Sequence, residues 1–405
     1  MNKSFCSLAW LGITTDPDGS IRPCCVSTEH VTKDDGTLYN LGVDSLNDIL
    51  NSTFYINLRK SMLEGEMIEG CKTCYYNEHY GRESRRLINN RVFSNLTLDK
   101  PTVDPQIKYF DLRLGNRCNL KCRMCSPINS SMIEDEFTEN KTEILNKFYL
   151  QSSINIKDWF NTDVFDNNFN NQIKNIHTLY MTGGEPTLIK KNYDILERII
   201  SLGHHKNVTL IINTNLTNYN PLFYNLIKQF KSVLIQLSID ATDELATYIR
   251  YPSNFKQIDK TLTEIVNLKG NIKVSATPAL QILNLNKLSE LFDYLESFNY
   301  KLNKLVIEIS PIFLNNPKHL NFIYLPKSYK VECFKKFYNW TIEKCKYQPP
   351  QFKNVVQSIK KKCYEDVECK DNLKDFILFN NELDKIRNMS LNDYNPELYN
   401  VIKNV

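Results

Sequence analysis

The stretch KYFDLRLGNRCNLKCRMC, residues 108–125, decides the fold. Its first part, Lys108–Leu114, mixes aromatic and aliphatic residues with polar ones over strand length and ends at Gly115 and Asn116. That pattern reads as a β-strand stopped by a turn. Directly after it, Cys118, Cys122 and Cys125 follow in a C-x3-C-x2-C run. A compact loop of this kind can wrap three corners of a cubane cluster, and soft thiolates suit iron–sulfur clusters and zinc. Three ligands rather than four leave one metal position open to a non-protein ligand. Spacing alone leaves two bland alternatives, a zinc site completed by a distant His and three unrelated buried thiols.

Outward from this strand, β-branched runs alternate with helical patterns, which signals βα units and a parallel sheet. The further candidate strands are His177–Thr182, Val208–Asn213, Val233–Ile239, Ile272–Ala276 and Leu305–Ser310, with amphipathic stretches such as Tyr193–Leu202 and Ile258–Leu268 between them. Six units predict an α/β fold, a partial, open (β/α)6 TIM-like barrel over residues 101–316. In such folds chemistry collects where strands end, and the polar and Gly-rich signals NRCNLKCRMC, GGEP, TN, SID and TP stand there. The connection from Pro127 to Ile176 is unusually long and predicts helices plus a surface loop. Residues 1–100 read as a small cysteine-rich module and residues 317–405 as a helical extension.

A chain of 405 residues has room for such a barrel and a smaller module. Its 50 basic and 46 acidic residues give a net charge of +4, which does not suggest a dedicated nucleic-acid binder. No apolar run approaches the ~20 residues that span a bilayer. The opening MNKSFCSLAWLGITTDPDGS has a short apolar stretch but no small-residue cleavage site, so a cytoplasmic protein is expected. Twelve cysteines in such a protein read first as metal ligands or redox groups.

The residues after the second strand complete the picture. Gly183, Gly184, Glu185 and Pro186 form a GGEP turn. The cysteine triplet after a first strand, with GGEP after a second, resembles the radical S-adenosylmethionine (SAM) superfamily over roughly residues 107–315. The resemblance implies a four-iron–four-sulfur cluster on Cys118, Cys122 and Cys125 whose open iron is chelated by SAM. It implies reductive cleavage of SAM to a 5′-deoxyadenosyl radical that takes a hydrogen atom from substrate. It also implies an electron donor such as flavodoxin or ferredoxin. Glu185 is expected to accept from SAM's ammonium, with Gly183 and Gly184 allowing close backbone approach. Ser238 and Asp240 are placed like the family's polar contacts to SAM, with strand-end capping as the bland reading. Thr214 and Asn215 stand after the third strand. Arg250 is a candidate partner for a carboxylate of SAM or substrate, or a solvated arginine. Met124 departs from the aromatic residue that many members carry before the last cysteine, but its backbone can still meet the adenine.

Near the N-terminus, Cys6, Gly19 and Cys24, then the pair Cys71 and Cys74, resemble the auxiliary-cluster modules called SPASM and twitch domains. Two departures stand out. Those modules usually follow the barrel, and Tyr80 occupies the position of a further expected cysteine. The resemblance therefore implies a twitch-like module with one auxiliary four-iron–four-sulfur cluster in electron transfer, with structural zinc and free thiols as the alternatives. Cys25 competes with Cys24. Cys333, Cys345, Cys363 and Cys369 are irregularly spaced and read as ordinary thiols, with a second metal site as the alternative.

The twitch-like module further implies a peptide or protein substrate. A small sugar, nucleotide or amino acid is the second enzymatic reading, and a non-catalytic metal-binding scaffold the third. A peptide predicts an open groove, and a small molecule a closed cavity lined by polar strand-end residues.

Overall fold

The computed structural model describes residues 3–79, 81, 83–149, 158–367 and 370–403. Tyr80 and Cys369 lie outside the described residues. Among the described residues the main sheet has eight strands: β1 (Gly12–Thr15), β2 (Ile21–Arg22), β3 (Tyr109–Arg113), β4 (Thr178–Thr182), β5 (Thr209–Thr214), β6 (Ser232–Leu237), β7 (Ile272–Ala276) and β8 (Ile307–Ile309). Their order is β8-β7-β6-β5-β4-β3-β1-β2. The six strands from β3 to β8 fall on the six stretches read from sequence. The α/β class with a mostly parallel, partial TIM-like sheet is therefore the observed one.

The first two strands were not expected. The N-terminal cysteine segment supplies β1, which pairs in parallel with β3 (Gly12 opposite Tyr109, Thr14 opposite Asp111). It turns back as β2, antiparallel to β1. The segment read from sequence as a small cysteine-rich module thus extends the sheet.

The chain divides into two compact units. The first comprises Met1–Arg117, Ile154–Ile212 and Asn220–Val233. Within it, the helix Thr53–Glu64 starts on Ser52, whose side chain accepts from Tyr55 N, and ends at Gly65 with φ +85°. That helix carries Arg59, fully buried, which donates to the carbonyls of Ala9, Leu50 and Pro101 at 2.7, 2.6 and 2.9 Å. Three backbone acceptors satisfy a charge that burial alone would expel. Trp159, from the long connection, sits on Gly19 and Gly42. A Cβ on Gly42 would lie 2.3 Å from its carbonyl oxygen, and one on Gly19 would lie 2.6 Å from its ring. Its indole nitrogen donates to Pro17 O at 2.9 Å. Helix Asp163–Asn170 lays Phe169 against Phe110 of β3 at 5.3 Å between ring centres.

The second unit comprises Cys118–Ser153, Asn213–Tyr219 and Leu234–Val405. Helix Phe255–Val266 is capped by Asn254 and buries Ile258, Thr261, Leu262 and Ile265, one face at helical spacing. The C-terminal part is helical as expected, with Lys327–Glu343, Phe352–Tyr364 and Lys370–Arg387 as its longest elements. Phe292 meets Phe337 and Trp340 edge-on at 5.4 and 5.8 Å. A separate apolar cluster joins Ile133, Leu145 and Tyr149 to Phe379 and Leu383. Among the described residues, no helix is long and apolar enough to cross a membrane.

Candidate active site

The cysteine loop is held from three sides within the second unit. Lys121–Cys122 pairs antiparallel with Arg250–Tyr251. Arg123, fully buried, donates to Tyr248 O at 2.9 Å, Asn380 Oδ1 at 2.9 Å and Asp384 Oδ1 at 2.5 Å. Asn215 Nδ2 donates to Asn119 Oδ1 at 3.0 Å and reaches Cys118 Sγ at 4.0 Å. Cys118, Cys122 and Cys125 are brought together: the thiol of Cys125 is raised by burial first and then by Cys122 and Cys118. Burial also raises Cys122, against the pull of Arg250. Three soft thiols on one loop, Cys122 buried and Cys118 and Cys125 half-buried, fit a cationic cluster, which displaces their protons on binding.

Arg250 is not solvated. Its Nη1 lies 3.8 Å from Cys122 Sγ and its Nε donates to Asp240 Oδ2 at 2.7 Å. Asp240 is buried, and its other oxygen accepts from Ala279 N at 2.7 Å. Both oxygens therefore have partners, so Asp240 here orients Arg250 beside the cysteine loop. Ser238 donates its N–H to Thr214 O at 2.8 Å, and Thr214 Oγ1 accepts from Leu216 N at 3.2 Å. Met124 is half-buried.

The GGEP turn belongs to the first unit, and its glycines are obligatory. A Cβ on Gly184 would lie 2.1 Å from Arg117 O. Gly183 has φ +116°, a conformation other residues rarely adopt. Glu185 N donates to Arg117 O at 2.8 Å. The turn thus lies on the backbone of Asn116 and Arg117, which run directly into Cys118. Glu185 is buried, and its Oε1 accepts from Thr187 Oγ1 at 2.8 Å.

In the same unit, the thiols of Cys6, Cys24, Cys71 and Cys74 act on one another. Cys6 feels Cys71 and Cys74, Cys24 feels its neighbour Cys25 and then Cys6 and Cys74, and Cys71 feels Cys74. Burial, with these neighbours, pushes Cys6 and Cys71 up to about 12. Cys25 faces elsewhere, toward Arg85, Asp111 and Arg113. No three His, Cys, Asp or Glu side chains are gathered around a single ion's position among the described residues. Cys333 and Cys363 are packed in the helical core and Cys345 is half-buried.

Sequence reasoning missed Arg123, Asn380 and Asp384, which carry no motif. It also passed over Asp111 and Arg113, whose signal was readable as two charges at alternate positions of a buried strand.

The Radical SAM superfamily profile matches residues 112–295, and that of SPASM, an iron–sulfur cluster-binding domain, matches residues 6–75. The chain thus carries a match to the radical SAM domain, with a match to a SPASM domain ahead of it. These domains imply a SAM-binding four-iron–four-sulfur cluster, SAM itself and auxiliary iron–sulfur ligation. The uncharacterized protein MJ0907 of Methanocaldococcus jannaschii is 28% identical over 200 residues, which is 48% of this chain and 60% of the relative. A solved structure described as native anSMEcpe with bound AdoMet overlaps 60% of this chain and 61% of its own, at 14% identity and a TM-score of 0.38. The chain thus spans about three fifths of each.

Proposed function

We propose that this protein is a radical SAM enzyme that cleaves SAM reductively and abstracts a hydrogen atom from its substrate. The observation that carries the reading is the seating of Gly184 on Arg117, which fixes the GGEP turn against the residues that enter the cysteine loop. When bound, the cluster and SAM supply the electron and the 5′-deoxyadenosyl group for this chemistry. The chain's own contribution is positional. Cys118, Cys122 and Cys125 hold the cluster, Arg250 places a positive charge beside Cys122, and Gly183, Gly184 and Glu185 receive SAM's amino-acid end. Cys6, Cys24, Cys71 and Cys74 hold an auxiliary cluster whose irons all have protein ligands. That suits it to electron transfer rather than to binding substrate.

Two substrate classes compete. A peptide or protein substrate is supported by the resemblance of the N-terminal module alone, since fold does not fix substrate. A small polar substrate is favoured by a specific observation, the buried charged face of β3 described below. The experiment is anaerobic reconstitution with iron and sulfide, then SAM and dithionite, with chromatography for 5′-deoxyadenosine. The reading expects 5′-deoxyadenosine from the wild type and none from Cys122→Ala. A reconstituted wild type that leaves SAM intact, or a variant as active as the wild type, overturns it.

A further inference from the structure

Strand β3 has two unlike faces. Phe110 and Leu112 are fully buried and Phe110 meets Phe169, the packing expected of a parallel strand under a helix. Its other face carries Tyr109, Asp111 and Arg113. In register beside Asp111 stand Thr14 of β1 and Tyr180 of β4, both buried. A strand buried on both sides is ordinarily apolar on both. Here one buried side is built from charges and phenols.

The central group of that side has no hydrogen-bond donor in place. Asp111 is 0% exposed, and neither of its carboxylate oxygens has a hydrogen-bond partner. Burial raises its carboxyl above the ordinary range, while Arg113 and Arg85 pull it down. The neighbouring Cys25 thiol lowers it too, yet no donor stands at hydrogen-bond distance and angle from either oxygen. Arg113 gives Nη1 to Asp16 at 3.2 Å and leaves Nε buried and unpaired. Arg85, from helix Arg85–Val92, lies 5.2 Å from the ring centre of Tyr180 and donates Nη1 to Tyr109 OH at 2.8 Å. Nearly all buried polar groups in folded proteins are paired, and leaving a carboxylate unpaired is costly. A carboxylate and two guanidinium groups that share a buried face without bonding one another are arranged around something else.

We propose that this face is a substrate subsite for a small amino carboxylate, whose ammonium is held by Asp111 and whose carboxylate is held by Arg85 and Arg113. A zwitterion satisfies both signs at once: it supplies donors to the two unpaired oxygens and acceptors to the guanidinium N–H groups. Tyr109 and Tyr180 wall the site without adding charge. Cys25, which belongs by sequence to the metal-binding segment, faces this subsite instead. The inference rests on reading residues 112–295 as the catalytic domain, and it selects the small-substrate class within that reading.

The test is equilibrium dialysis of the reconstituted protein against a pool of the twenty free L-amino acids, read by mass spectrometry. At least one amino acid is expected to be retained, and its N-acetyl and carboxamide derivatives are expected to bind at least tenfold more weakly. Asp111→Asn and Arg85→Gln are each expected to lose at least tenfold in retention. The melting temperature of Asp111→Asn is expected to hold or rise, because it removes an unpaired buried charge. Retention of none of the twenty by the wild type, or equal retention by both variants, overturns the proposal. A lower melting temperature with retention unchanged assigns Asp111 to structure and overturns it too. Should Asp111→Asn not fold, Arg85→Gln, at a half-buried position, decides the matter. Formation of 5′-deoxyadenosine by the wild type in the same preparation tests the radical SAM reading separately.

Discussion

Arg123, the residue between Cys122 and Met124, is fully buried and donates to Asp384 of helix Lys370–Arg387 at 2.5 Å. Its guanidinium also stacks 3.8 Å from the ring centre of Tyr248, whose hydroxyl donates to the same carboxylate at 2.9 Å. A residue close to the end of the chain thereby sets the backbone of the cysteine loop. Removing one partner of a buried pair leaves the other charge stranded, which costs roughly 3–5 kcal/mol. Asp384→Ala is therefore expected to lower stability by about that amount in urea denaturation and to yield reconstituted protein with less iron. Unchanged stability and iron would separate the C-terminal helix from the loop.

The two glycine classes make a sharper contrast. Alanine at Gly184 would bring a Cβ to 2.1 Å of Arg117 O, so the turn must move by about an ångström. Gly36 also has a positive φ, of +84°, but nothing lies within 4 Å of its Cβ position. Gly36→Ala should cost about 1 kcal/mol and leave SAM cleavage intact. Gly184→Ala should lose on the order of a hundredfold in the rate of 5′-deoxyadenosine formation, the scale of a 1 Å misplacement. Equal rates for the two variants would contradict the seating of the turn.

Cys24 and Cys25 are neighbours in sequence with different surroundings. Cys24 is raised by its neighbour Cys25 and then by Cys6 and Cys74, whereas Cys25 responds to Arg85, Asp111 and Arg113. Iron analysis after reconstitution should show Cys24→Ser losing about four irons per chain, one cubane's worth, while Cys25→Ser keeps them. The reverse result would exchange the two assignments.

The fold was largely legible because a parallel sheet writes itself in runs of β-branched and aromatic residues, and all six such runs became strands. The N-terminal strand β1 was not legible. Gly12–Thr15 is four residues long and sits inside an apolar stretch with no alternation, so only its pairing with β3 makes it a strand. The cysteine triplet and GGEP were readable because their chemistry demands particular residues at fixed spacing. The role of Arg250 was not, because a lone arginine after a helix looks the same whether solvated or, as here, paired with Asp240. Asp111 and Arg113 stood in plain view within KYFDLRL. Their meaning depends on β3 being buried on both faces, and the sequence does not show that.

One histidine gives the protein an acid-sensitive core. His319 packs edge-on or tilted against Phe148 and Phe379, each at 4.6 Å, and its Nε2 has no partner. Burial lowers it from 6.5 to about 4; the neighbouring Asp375 pulls it upward and Lys147 downward. The unfolded chain takes up this proton below pH 6.5, the folded one only below about 4. Its stabilising effect is complete above pH 6.5 and is lost as pH falls to about 4, a change on the order of 3 kcal/mol. His319→Leu should flatten the dependence of urea stability on pH across that window. A slope identical to the wild type's would place the acid sensitivity elsewhere.

The central claim is that Cys118, Cys122 and Cys125 hold a cluster with one iron left to SAM. Electron paramagnetic resonance of the dithionite-reduced protein, recorded with and without SAM, tests it most directly. The account predicts a reduced-cluster signal whose shape changes when SAM is added, and the loss of that SAM-dependent change in Cys122→Ala. A signal indifferent to SAM in the wild type, or one that still responds in Cys122→Ala, would contradict it.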